Sequence, residues 1–236
     1  QVIDVCPNDT LYTSRSNENW AFYTEAGVSF GTGTPVAFTD SKMNGVVKEG
    51  GATVSDPITG NLLFYTDGVN VWNRYHTVMP NGSGLLGDPS SAQAVLIVPL
   101  PGNQDQYYVF TNAPTQNYSI VDMSLRNDSG DVVSGSKNIP LATPASQQEA
   151  LSATIKTYPT CSADAEYWLI TNDKSKSAYV YLINNSGIAL NGIYSFAEEF
   201  PAGPIQSTFS NSGAKYARAA TNSIEDGILV YDFNVN

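Results

Sequence analysis

Residues 52–67 read Ala52-Thr53-Val54-Ser55-Asp56-Pro57-Ile58-Thr59-Gly60-Asn61-Leu62-Leu63-Phe64-Tyr65-Thr66-Asp67. Two short runs rich in β-branched and aromatic residues flank a cluster of Asp, Pro, Gly and Asn. Pro presets φ, and Gly and Asn tolerate positive φ, so the stretch predicts a β-hairpin whose second strand ends in Thr-Asp. The ending recurs at Phe22-Tyr23-Thr24-Glu25, Val109-Phe110-Thr111-Asn112, Leu169-Ile170-Thr171-Asn172 and Ala219-Ala220-Thr221-Asn222. Its threonines lie 42, 45, 60 and 50 residues apart. Such intervals match the roughly 40–50 residues of a four-stranded propeller blade.

The surroundings repeat as well. Strand-like runs precede the later copies at Ala94-Val95-Leu96-Ile97-Val98, Ser152-Ala153-Thr154-Ile155 and Ile205-Gln206-Ser207-Thr208-Phe209, with turns such as Pro99-Leu100-Pro101-Gly102-Asn103 between. A third strand follows at Tyr118–Met123, Tyr179–Ile183 and Ile228–Phe233. The expected fold is therefore all-β: a β-propeller of four-stranded antiparallel blades, about five of them, as a whole or as part of a larger propeller. A β-sandwich also has short strands and regular turns, but it does not require one order of strand and turn in every unit. Approximate blades run 13–49, 50–91, 92–148, 149–202 and 203–236. The polar segment Arg126–Gln148 is expected to supply the outer strand of the third blade and a surface excursion. Tyr216-Ala217-Arg218-Ala219-Ala220 reads as a tightly packed inner strand. The fifth copy stops after its third strand, so either Gln1–Tyr12 completes it or the natural polypeptide continues past Asn236.

Composition agrees with this reading and narrows function. Of 236 residues, 14% are charged, against roughly 25% in an average soluble domain. The 19 glycines, 13 prolines and 14 tyrosines suit short strands and tight turns rather than helices. Eleven basic against 22 acidic residues give −11, which argues against a nucleic-acid or anionic-membrane partner. No run of 18 apolar residues occurs, and no transmembrane helix is expected.

A start at Gln1 is what signal-peptide removal leaves, and with the low charge it points to an extracellular protein. Cys6 and Cys161 form one disulfide in an oxidising compartment or remain two buried thiols; their spacing does not suit a metal site. Five triplets fit the glycosylation sequon, at Asn8, Asn81, Asn117, Asn127 and Asn184.

Trp72, Arg74, Tyr75 and His76 form the densest group of interaction-prone side chains. An aromatic beside an arginine on a loop is a common make-up for partner contact, and the same set stacks on sugars. The competing reading packs Trp72 between blades and uses Arg74 to tie down the turn. His76 is the sole histidine, and no Ser or Asp motif marks a catalytic partner for it. The Thr-Asx endings read as turn-forming residues. In the alternative, Glu25 and Asp67 converge around the axis to bind calcium. Carboxylates from separate blades are the remaining route to glycosidase chemistry.

The second repeat, Gly50 to Gly68 followed by Val71-Trp72-Asn73-Arg74-Tyr75-His76-Thr77-Val78-Met79-Pro80-Asn81-Gly82, resembles the N-terminal β-propeller of large secreted surface proteins of Bacteroidetes-type bacteria. Asn19-Trp20, Gly33-Thr34-Pro35-Val36-Ala37, Tyr118–Leu125, Glu166–Thr171 and Phe209–Tyr216 extend the likeness. In that family the propeller often precedes Ig-like or PKD repeats and a sorting domain of the type IX secretion system. Gly51 departs from it, since cysteine is more usual there. The resemblance implies a place at the cell surface, a role in adhesion or assembly, and partners that are other subunits or downstream domains of the same surface protein. It assigns no active site and no cofactor. The expected function is a non-enzymatic binding or assembly module. A carbohydrate-binding or carbohydrate-active propeller is the alternative, and an appendage subunit completed by a neighbour's strand is the third reading.

Overall fold

The computed structural model describes residues 14–22, 24–43, 49–88, 90–113, 115–141, 147–157, 165–173, 176–196, 205–220 and 227–235. The expectations placed on Cys6, Cys161, Gln1–Tyr12 and Thr221-Asn222 lie outside these residues. The chain folds into five small antiparallel sheets arranged as a five-bladed β-propeller.

The first sheet holds β1 (Asn19–Ala21), β2 (Gly27–Ser29) and β3 (Val36–Phe38) in that order. The second is β4 (Ala52–Ser55), β5 (Leu62–Thr66), β6 (Asn70–Asn73) and β7 (Val78–Ser83). In the third, β8 (Val95–Pro99), β9 (Gln106–Ala113) and β10 (Thr115–Asp122) are followed by β11 (Asp131–Val132) and β12 (Ile139–Pro140). Both short strands pair with β10, so the 126–148 segment supplies two outer strands rather than one. The fourth sheet is β13 (Gln147–Thr157), β14 (Glu166–Asp173), β15 (Ser177–Asn184) and β16 (Gly187–Ser195). The fifth has β17 (Ile205–Phe209), β18 (Lys215–Ala220) and β19 (Gly227–Asp232). Tyr216–Ala220 lies in β18, the middle strand of its sheet, with Tyr216 and Arg218 buried.

Blades adhere through four apolar clusters. Ala21, Met43, Tyr65 and Trp72 join the first blade to the second. Phe64, Val71, Tyr107 and Val121 join the second to the third. Phe110, Leu151, Leu169 and Tyr181 join the third to the fourth, and Trp168, Val180 and Tyr216 join the fourth to the fifth. Each fully buried side chain of this kind contributes about 1.5–3 kcal/mol from apolar burial. Near the axis, side chains add polar stitches between neighbouring sheets. Thr53 Oγ1 accepts from Ala21 N–H at 2.9 Å and Ser55 Oγ from the Asn19 side chain at 3.0 Å. Gln93 Oε1 accepts from the backbone N–H groups of Leu151 (3.2 Å) and Ser207 (2.8 Å), while its Nε2 donates to Ser207 O at 2.9 Å.

The repeat keeps its landmark but not its facing. Tyr65, just before Thr66, packs towards the first blade, whereas Phe110 and Ile170, just before Thr111 and Thr171, pack towards the following blade. The cause is a bulge in β5. Ser55 pairs with Leu62 and Val54 with Phe64, leaving Leu63 as an extra residue. One extra residue sends every later side chain to the opposite face.

Candidate functional site

The turn between β6 and β7 carries three of the sequence-predicted residues and follows the fourth. Asn73 builds it: its Oδ1 accepts from Tyr75 N–H at 2.9 Å and from Thr77 N–H at 3.2 Å, and its carbonyl accepts from His76 N–H. His76 closes the turn at φ 59. This geometry separates the group instead of gathering it. Trp72 is buried, stacked on Tyr65 with ring centroids 5.4 Å apart. Tyr75 is 67% exposed at the tip. His76 turns towards the first blade, with Nδ1 3.1 Å from Tyr65 Oη and Nε2 3.3 Å from Asp40. Lys42 N–H donates to Tyr65 Oη at 2.9 Å, so the phenol links the Lys42 backbone to the imidazole of the second blade. The sequence reading found no such carboxylate because Asp40 belongs to another blade. Tyr65 is wholly buried, which makes this chain of hydrogen bonds a tie between blades.

Arg74 turns the other way, into a cleft of about 270 Å³ between the second and third blades. Four hairpin turns at one end of the propeller frame it. The β4–β5 turn brings Asp56 and Asn61, the β6–β7 turn Arg74, the β8–β9 turn Gln104 and Asp105, and the segment after β10 Asp128. Leu63, Tyr107 and Met123 form a buried floor. The Asp56 carboxylate holds its own turn, accepting from Ile58 N–H at 2.9 Å and Thr59 N–H at 2.6 Å. Partial burial works against its ionisation, yet these bonds and the charge of Arg74 hold its carboxyl below the usual aspartate value. Burial, reinforced by the carboxylates of Asp56 and Asp105, pushes the Tyr107 phenol up to about 12. Arg74 donates to the Asp128 backbone carbonyl. That carbonyl belongs to a left-handed turn, with Arg126, Asn127 and Asp128 at φ 57, 54 and 61. Three consecutive non-glycine residues there store strain at the rim of the cleft.

The Thr-Asx endings of the second, third and fourth blades are buried. In the second blade Thr66 Oγ1 accepts from Gly68 N–H, and Asp67 Oδ1 accepts from Val69 and Asn70 N–H at 2.8 and 2.6 Å. In this blade they take the turn-forming role expected of them, whereas the Thr111 and Thr171 hydroxyls have no hydrogen-bond partner among the described residues. Glu25 is exposed on the first blade. Among the described residues, no three His, Cys, Asp or Glu side chains gather as metal ligands. Sequence reasoning missed Asp56, Gln104, Asp105, Tyr107 and Asp128. Their signal was positional, since all but Tyr107 sit in or beside turns that a propeller places at the same end of adjacent blades. It also missed Arg218, which is 1% exposed with its guanidinium 4.2 Å from the Phe196 ring.

Comparison with protein-family models, with curated proteins and with solved structures finds no match to the chain.

Proposed function

We propose that the chain is a non-enzymatic extracellular module for binding and assembly within a bacterial cell-surface protein. The observation that carries this reading is the third strand of the fifth blade, which no described strand covers. In the second, third and fourth blades the third strand is covered by a fourth; among the described residues β19 has none. Leu229 and Tyr231 share a face with Arg218 and Tyr216, towards the fourth blade. Ile228 and Val230 therefore point away from it, and they are 71% and 62% exposed. The first blade likewise exposes Trp20 and Phe30, whose rings meet edge to face at 5.1 Å. An unpaired edge beside exposed apolar side chains is a template for another strand. The resemblance described above and the low charge content support a place at the cell surface, with other subunits or downstream domains of the same protein as partners.

Light scattering on the eluting chain across a dilution series tests assembly. The expected result is association at high concentration that Ile228→Lys and Val230→Lys abolish without changing the circular dichroism. A monomer throughout, indifferent to both substitutions, overturns it. Glycan recognition is the second reading, favoured by the open polar groups of the cleft.

A further inference from the structure

We infer that the cleft between the second and third blades binds a neutral polyhydroxylated ligand, a single sugar residue of a glycan. The inference rests on reading the propeller as a binding module and names the site and ligand class. Tyr107 is the first reason. It is 4% exposed, its hydroxyl opens into the cleft, and no described residue hydrogen-bonds to it. The hydroxyl is thus available to a ligand in the cleft. Arg74 is the second. It stands among three aspartates yet forms no ion pair with any of them, and its buried Nε has no hydrogen-bond partner. The carboxylates of Asp105 and Asp128 and the amides of Asn61 and Gln104 likewise make no side-chain bond among the described residues. Apart from the Arg74 bond to the Asp128 backbone carbonyl and the turn bonds of Asp56, these donors and acceptors face one cavity without engaging each other.

The mixture selects the ligand. An anion would meet Arg74 but also three carboxylates. A cation would meet the carboxylates and leave the phenol and guanidinium donors unanswered. A metal ion finds no converging ligand set among the described residues. A sugar hydroxyl donates and accepts at once, so it bridges Tyr107 or Arg74 to Asp105 or Asp128, while the C–H face of the ring lies on Leu63 and Met123. The volume of about 270 Å³ sits just below the usual range of small-molecule sites, which suits one ring. The walls are hairpin turns fixed by packed blades, so little ordering is required on binding.

The test is a glycan array of neutral, amino and acidic sugars with the intact chain, followed by calorimetric titration with the sugars retained. Tyr107→Phe, Asp105→Asn and Tyr75→Ala are the variants, each checked for an unchanged melting profile. The expected result is binding of a neutral sugar that Tyr107→Phe and Asp105→Asn each weaken about tenfold, while Tyr75→Ala binds normally. Binding confined to charged sugars, or binding that ignores both cleft substitutions, overturns the inference. No glycan bound also overturns it; self-association in the dilution series would then leave the assembly reading standing, and its absence would remove both.

Discussion

Tyr65 does two things that a phenylalanine could do only in part. Its ring stacks on Trp72, and its hydroxyl joins Lys42 N–H to His76 across two blades. Tyr65→Phe keeps the stack but leaves that N–H without its acceptor. A loss of about 1–3 kcal/mol in urea unfolding is expected. Tyr107 gives a prediction with a sign. Its folded pKa of about 12 lies above the unfolded value near 10, so the unfolded chain releases the proton first. The contribution is fully present below pH 10 and is lost as pH rises towards 12, by on the order of 2 kcal/mol. Unfolding followed between these limits should show a shallower decline in Tyr107→Phe; an equal decline would refute the assignment. At this scale the sequence was least legible. It grouped Trp72, Arg74, Tyr75 and His76 by adjacency, whereas alternation along a strand and a tight turn send them to a core, a cleft, the solvent and a neighbouring blade.

Strands and hairpins were the most legible elements, because turn chemistry is local. The predicted Ala52–Ser55 and Ile205–Phe209 coincide with β4 and β17. The bulge at Leu63 was not legible, since it depends on how β4 and β5 pair and no residue type announces it. Nor was the second outer strand of the third blade, as two-residue strands leave no periodic trace. Gln93 shows what binds elements together at the axis. Gln93→Leu removes the acceptor for Leu151 and Ser207 N–H at a part-buried site. About 1–3 kcal/mol of stability should be lost, and the exchange of those two amides should accelerate most. Uniform acceleration across all blades would argue against a local stitch.

Across the whole molecule, the repeat count was readable because a blade is an autonomous unit of strand order. How blades meet was not, because each interface is made by residues some fifty positions apart whose facing is set by pairing. Five blades held by four described apolar clusters have an uneven distribution of support. The second, third and fourth blades are gripped on both sides, whereas the first and fifth each show one packed side among the described residues. Counted over the described residues alone, these contacts form a linear series, in which the terminal members have the least support from neighbours. A partner that adds a packed side to either of these two blades would bring its opening closer to that of the middle three.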